Sequence, residues 1–485
     1  MQSKKVFFNF IWRFAERCGA QLVAFAVSVI LARVLEPDTY GTIALMLVFT
    51  NIVQVFVDSG FGNALIQKKD ADDIDFSTVF YTNVVLCFFA YMFLYFSAPF
   101  IASFYHDASM SSMIRVLSLT VVISGLKNVQ QAYVSRHMMF KRFFYSTLGG
   151  TICAAVVGVL LAYMGYGAWA LVIQQVLNVG IDTLILWITV RWRPIWTFSM
   201  DRLKVLFSYG WKLLISGLLD VTYNNLRTLI IGKKYSSSDL AFYNHGMRFP
   251  ELIVVNINSS IDSVLLPAMS NVQDERTHVK NMTSRSIRVS VYVMAPLMMG
   301  LAFVAPILIP VLLTDKWIPC VFYLRIFCIS YMFYPIHTAN LNAIKALGRS
   351  DLFLKLEIYK KILGMILLLS TMWFGVKVMA YSVLIGSVIS QLINAQPNKK
   401  LLDYGYLEQL RDICPSILLA AAMGLAIYPL GRLEIPSFMI LIMQVTLGAL
   451  FYIVGSIIFK IDSFYYILEI LKSIRIGNRV KKHVE

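Results

Sequence analysis

The chain has 485 residues, 58% of them hydrophobic and 14% charged, whereas an ordinary soluble domain carries roughly 25% charged residues. With a mean hydropathy of +0.69, it holds more apolar side chain than globular cores of this length bury, which excludes a soluble enzyme or nucleic-acid binder. The formal charge of +16, from 43 Lys and Arg against 27 Asp and Glu, then belongs to the basic cytoplasmic loops of a membrane protein.

The first residues place Lys4 and Lys5 before the apolar run from Val6 to Trp12. Arg13, Glu16 and Arg17 interrupt that run and no small-residue cleavage site follows, so this is a retained first helix and not a signal peptide. A spanning helix needs about 20 mostly apolar residues, because the hydrocarbon core is about 30 Å thick and a helix rises about 1.5 Å per residue. That window predicts an all-α membrane protein of fourteen spans, at 8–34, 40–58, 78–103, 113–135, 143–163, 167–190, 206–231, 240–269, 286–313, 320–343, 353–374, 378–396, 412–430 and 437–459. Lys and Arg gather in the N-terminus, the loops after even-numbered spans and the tail. The loops after odd-numbered spans hold only Lys233, Lys234, Lys316, Lys377 and Arg432. This asymmetry puts both termini in the cytoplasm.

External connections such as Leu35–Thr39 and Gly431–Pro436 are short, leaving no room outside for a catalytic domain. Beyond Lys460, the tail (461–485) alternates apolar residues with Lys472, Arg475, Arg479, Lys481 and Lys482, a spacing that predicts a basic amphipathic helix on anionic headgroups. The cysteines, Cys18, Cys87, Cys153, Cys320, Cys328 and Cys414, lie in apolar stretches without metal-ligand spacing. Asp72-Asp73-Ile74-Asp75 lacks any surrounding nucleotide-binding unit and reads as a solvated loop.

The chain also repeats itself. Phe7 to Phe14 aligns with Leu206 to Leu213, and Arg33 to Asp38 with Lys234 to Asp239. Two six-span halves follow, 1–200 and 201–400, then an extra helix pair over 401–460. Repeats of even span number keep one orientation, as in transporters that bind cargo between parallel halves.

Charge inside the membrane is costly, about 2.5 to 3.5 kcal/mol at mid-bilayer, so what remains faces protein or water. Here it concentrates in the first two spans of each half. Span one carries Arg13, Glu16 and Arg17, span two Asp58, span seven Lys212, Asp220 and Arg227, and span eight His245, Arg248, Glu251, Asn258 and Asp262. In span one with Gln21, and in span seven with Ser216 and Asn224, spacings of three or four residues collect the groups on one face of the helix, and the four polar spans would line one shared cavity. Structural ion pairs, such as Arg248 with Glu251, are the alternative. Arg115, Lys127, Asp182, Arg325 and Glu357 read as end-snorkelling or helix-pairing groups.

Several local motifs resemble the polysaccharide flippases (Wzx-type, serving O-antigen, capsule and exopolysaccharide) of the multidrug/oligosaccharidyl-lipid/polysaccharide superfamily. They are Leu31-Ala32-Arg33-Val34-Leu35-Glu36-Pro37-Asp38-Thr39-Tyr40-Gly41, the run from Asp58 to Lys69, Pro267 to Asp274, and Asp315-Lys316-Trp317. The resemblance implies a non-enzymatic transporter in the bacterial cytoplasmic membrane. It would move undecaprenyl-pyrophosphate-linked oligosaccharides from the inner to the outer leaflet, alongside a polysaccharide polymerase and glycosyltransferases, with no cofactor. Coupling to Na+, H+ or the membrane potential is left open. On this reading Arg13, Arg17, Lys212, Arg227 and Arg248 supply a pyrophosphate site, while Glu16, Asp58, Asp220, Glu251, Asn258 and Asp262 set cavity polarity or coupling.

Three alternatives stay open. A cation-coupled drug antiporter of the same superfamily calls for surplus acid in the cavity, and the basic and acidic residues of the four polar spans nearly balance. The lipid II flippase is a second option within the superfamily. A membrane polysaccharide polymerase or ligase needs a large external segment, which this chain lacks.

Overall fold

A computed structural model of the chain describes residues 2–57, 61–68, 70–470 and 472; the side-chain surroundings at 2–11, 13–15, 17, 63, 67 and 209 are outside that description. Among the described residues all regular structure is helical. In a bilayer this is the economical arrangement, since a helix satisfies its backbone N–H and C=O groups within one segment. The chain divides into two compact units, Met1–Ala241 and Phe242–Glu485.

The first unit contains α1 (Gln2–Val34), α2 (Pro37–Val57), α3 (Phe61–Gln67), α4 (Asp73–Tyr105), α5 (Met110–Leu117), α6 (Leu119–Arg136), α7 (Phe140–Tyr163), α8 (Ala168–Thr189) and α9 (Met200–Lys234). Helix α10 (Ser237–Ser270) leads into the second, which continues with α11 (Arg276–Leu313), α12 (Cys320–Met332), α13 (Tyr334–Ala346), α14 (Ser350–Thr371), α15 (Val376–Leu402), α16 (Tyr406–Ile427) and α17 (Ser437–Ile458). Each expected span falls on one helix or, for spans four and ten, on a tandem pair.

Eleven of these segments are long and apolar enough to cross a membrane, and α9, bent by 48° between Met200–Ser208 and Gly210–Lys234, makes a twelfth. Of the fourteen expected spans, α1 is sufficiently apolar only over Cys18–Val34, and α14 carries Lys355, Glu357, Lys360 and Lys361 within its 22 residues. The chain is a multi-pass membrane protein.

Small residues let helices of the first unit approach closely. A Cβ at Gly150 of α7 would meet the Asn178 carbonyl of α8 at 2.8 Å, and one at Gly158 would meet Gln174 Cβ at 2.9 Å. Helix pairs in lipid gain from such contact because burial of apolar surface provides little drive there.

Asp72–Asp75 is not the solvated loop its composition suggests. Asp72 caps α4, accepting from the Asp75 amide at 3.0 Å while Asp75 accepts from the Asp72 amide at 3.2 Å. The fully buried Asp75 carboxylate is ion-paired to Lys68 at 2.7 Å and Arg202 at 3.3 Å, and Trp192 Nε1 donates to Asp73 at 3.1 Å. Three carboxylates that read as solvent-facing in one dimension, of which Asp72 and Asp73 do stay exposed, thus tie the start of α4 to the segment entering α9.

A matching knot occurs in the second unit. Ser284 and Tyr404 both donate to Asp412, at 2.7 and 2.6 Å, and Lys280 reaches Glu408 at 3.2 Å. Beside it a short helix over 462–470 opens the tail, with Arg285 stacked 4.5 Å over Tyr466. Arg475, Arg479, Lys481 and Lys482 of the expected basic tail lie outside the described residues.

Candidate functional site

In the first unit, α9 presents Lys212, Ser216, Asp220, Asn224 and Arg227 at successive steps of four, four, four and three residues. They form one stripe about 22 Å long at 1.5 Å per residue. Lys212, Ser216, Asp220 and Asn224 are exposed and Arg227 is half-buried. Within the stripe Asn224 Nδ2 donates to Asp220 Oδ2 at 3.2 Å. Lipid does not solvate such groups, so the stripe requires water or polar cargo beside it.

Helix α1 adds Glu16, only 7% exposed, which accepts a hydrogen bond from Thr147 Oγ1 of α7 at 3.4 Å. That contact makes Glu16 a helix-pairing group as well as a cavity candidate. The side chains of Arg13 and Arg17, and the whole of Asp58, lie outside the described residues.

In the second unit, α10 exposes Arg248, Glu251 and Asp262, again at helical spacing and about 21 Å from first to last. No ion pair closes between Arg248 and Glu251 among the described residues. Asn258 is 8% exposed, and neither of its amide atoms has a hydrogen-bond partner among the described residues. A buried amide in that condition costs about 1 to 3 kcal/mol, a cost that a ligand or water hydroxyl would relieve. His245 is buried against Trp317, with ring centroids 4.1 Å apart.

The five charges read as end-snorkelling or helix-pairing groups are engaged by protein. Lys127 of α6 and Asp182 of α8 pair at 3.0 Å with both side chains largely buried, and Glu357 pairs with Lys360 at 2.5 Å. Arg115 and Arg325 each donate to a backbone carbonyl of a neighbouring helix. A search for charge alone misses a buried amide network in the second unit. There Asn340 and Gln409 exchange hydrogen bonds at 2.8 and 3.0 Å, Asn398 donates to Asn340 at 2.6 Å, and Asn394 contacts His337 at 2.9 Å. The signal lay in Gln391, Asn394 and Asn398, amides at helical spacing on α15.

The chain is similar over 411 residues, at 24% identity, to the teichuronic acid biosynthesis protein TuaB of Bacillus subtilis, a match covering 83% of this chain and 85% of that protein. The succinoglycan biosynthesis transport protein ExoT of Rhizobium meliloti is 23% identical over 317 residues, 65% of this chain and 64% of its own. Among solved structures, the inward closed conformation of the lipid II flippase MurJ superposes with a TM-score of 0.74 at 14% identity, covering 93% of this chain and 99% of MurJ, which shows a shared fold. The family described as polysaccharide biosynthesis protein matches residues 30–322, more than half of the sequence, and the chain belongs to that family.

Proposed function

We propose that this protein is a flippase, without catalytic activity of its own, that carries lipid-linked oligosaccharides across the bacterial cytoplasmic membrane from the inner to the outer leaflet. The observation that carries this reading is the α9 stripe, in which Lys212 and Asp220 stand exposed on a membrane-spanning helix with the half-buried Arg227 on the same face. A sugar head brings many hydroxyls, each costly in hydrocarbon without a partner, and a diphosphate brings charge that lipid does not solvate. A hydrated polar surface removes both costs while the polyprenyl tail stays in lipid. Arginine suits the diphosphate because its planar fork makes two parallel hydrogen bonds to phosphate oxygens.

In this reading the two six-span halves, 1–200 and 201–400, alternate access, both termini are cytoplasmic, and no cofactor takes part. The membrane potential, negative inside, favours outward movement of an anion by about 2.3 kcal/mol per charge per 100 mV. A polymerase and glycosyltransferases would work on either side of the step. The test is deletion of the gene: surface polysaccharide disappears and its lipid-linked precursor accumulates in the inner leaflet. Unchanged polymer with raised sensitivity to cationic drugs would replace this reading with antiport.

A further inference from the structure

The segment joining α8 to α9, Val190 to Ser199, is not helical, yet it is held firmly. Its backbone amides at Ile195 and Ser199 donate to the hydroxyls of Ser77 and Thr78, at 3.0 and 3.2 Å. Both of these α4 residues are fully buried. Gln130 holds the Trp192 carbonyl at 3.2 Å, and Arg193 donates to the carbonyls of Val190 at 2.6 Å and Trp192 at 2.7 Å. The strap is therefore built in advance of any partner.

Between the strap and α4 runs a groove of about 530 Å³, floored by Tyr81, Val85 and Leu86 and walled by Trp196, Phe198 and Leu203. Trp196 stacks on Tyr81 with centroids 5.9 Å apart and still keeps 94% of its surface exposed. The groove offers only Thr82 and Thr197 as polar lining, so its occupant is hydrocarbon.

Charge says which hydrocarbon. The strap has Arg191 and Arg193 and no acidic residue. Arg191 is exposed and has no ion-pair partner among the described residues. Four residues lie between it and Trp196, so the two are at most about 17 Å apart along the chain, and half of the hydrocarbon core is about 15 Å. One phosphate on Arg191 and one chain in the groove therefore fall within the reach of a single bilayer lipid.

The geometry points to a binding site for an anionic glycerophospholipid, with its phosphate on Arg191 and one acyl chain in the Tyr81–Trp196 groove. This inference is independent of which cargo the protein carries. It is tested with the full chain in proteoliposomes containing brominated phosphatidylglycerol or brominated phosphatidylcholine at equal mole fraction. Quenching of Trp196 is read as the difference between wild type and Trp196→Phe. One basic side chain near an anionic headgroup favours it about fivefold, so phosphatidylglycerol should half-quench Trp196 at about one fifth the mole fraction that phosphatidylcholine requires. Arg191→Gln should bring the two lipids within about twofold of each other, and Val85→Phe, which fills the groove from a half-exposed position, should lower quenching by both. Equal quenching by the two lipids in wild type, or a preference that survives Arg191→Gln, overturns the proposal. Displacement of phosphatidylglycerol by a long-chain polyprenyl phosphate at lower mole fraction also overturns it, in favour of a cargo tail.

Discussion

Arg115 Nε donates to the carbonyl of Tyr95 at 3.3 Å, and its guanidinium lies 4.5 Å from the centre of the same residue's ring. Tyr95 stands four residues before Pro99, inside α4. Proline has no N–H, so the carbonyl four residues earlier loses its helical donor, and an orphaned carbonyl within a membrane costs several kcal/mol. Arg115 supplies the missing donor from α5. The second unit repeats the device: Arg325 Nε of α12 donates at 3.0 Å to the carbonyl of Ala302, four residues before Pro306 of α11. An arginine in an apolar span thereby serves the backbone of its neighbour, which accounts for its place in the membrane without any ligand.

Arg115→Ala should therefore destabilise the protein by about 1 to 3 kcal/mol, the cost of an unmet buried polar group. Adding Pro99→Ala restores the helical donor, so the double variant should recover part of that loss. Thermal unfolding in detergent measures both, and the pair Arg325 and Pro306 should behave alike. Additive effects of the two substitutions would contradict the capping role.

The Lys127–Asp182 pair makes a different demand. Removing one member of a buried pair leaves an uncompensated charge and costs about 3 to 5 kcal/mol, whereas removing both is often nearly neutral. Lys127→Met and Asp182→Leu should each lower membrane abundance, and the double variant should regain most of it. Abundance is read by immunoblot of the membrane fraction.

Much of the architecture was legible because hydropathy and loop charge vary on the scale of a whole span, which makes a span visible without knowing its neighbours. The breaks at Ser118 and Phe333 were not, since apolar residues flank both and the hydropathy runs through. Asp72–Asp75 did carry a readable signal, two carboxylates three residues apart before an apolar run, which is the spacing of reciprocal caps at a helix start. What hid it was the weight given to solvation of acidic runs. The roles of Arg115 and Lys127 depend on residues from other helices, so one-dimensional spacing bounded the choices and did not decide between them.

Arg349 and Asp351, at the start of α14, give a pH signature. Two hydrogen bonds of 2.9 Å from Arg349 hold the Asp351 carboxyl down to about 2 from its ordinary 3.8. A depressed carboxylate contributes stability above its unfolded value and loses it as pH falls through the folded one. The melting temperature of wild type minus that of Asp351→Asn should thus be positive at pH 5, shrink below pH 3.8 and vanish near pH 2. A difference that grows on acidification would contradict the pairing.

Topology is checked with single thiols placed at Gln273, in the turn after α10, and Lys400, near the end of α15, both exposed and both on the side assigned to the cytoplasm. In intact cells an impermeant maleimide should leave them unmodified, and permeabilisation should expose both. Modification from outside would reverse the orientation and, with it, the direction in which the membrane potential drives an anion.

The site itself is tested at Lys212, Arg227 and Arg248. Lys212 and Arg248 are exposed, so truncating either removes charge and little packed surface. Arg248→Ala and Arg227→Ala should reduce polymer export by about tenfold or more, the loss of roughly one charge-assisted hydrogen bond of 1.5 to 3 kcal/mol, while membrane abundance stays near wild type. Arg248→Lys should restore export only partly, because an ammonium is a point charge and cannot reproduce a planar fork. A merely structural arginine would give the opposite pattern, with lowered abundance that recovers when Glu251→Gln is added to Arg248→Ala. Asn258→Leu separates a further role. If its buried amide meets cargo, export falls while stability rises, since an unpartnered polar group has been replaced by an apolar one of similar size. Full export by both Arg227→Ala and Arg248→Ala would end the case for an anion site on α9 and α10.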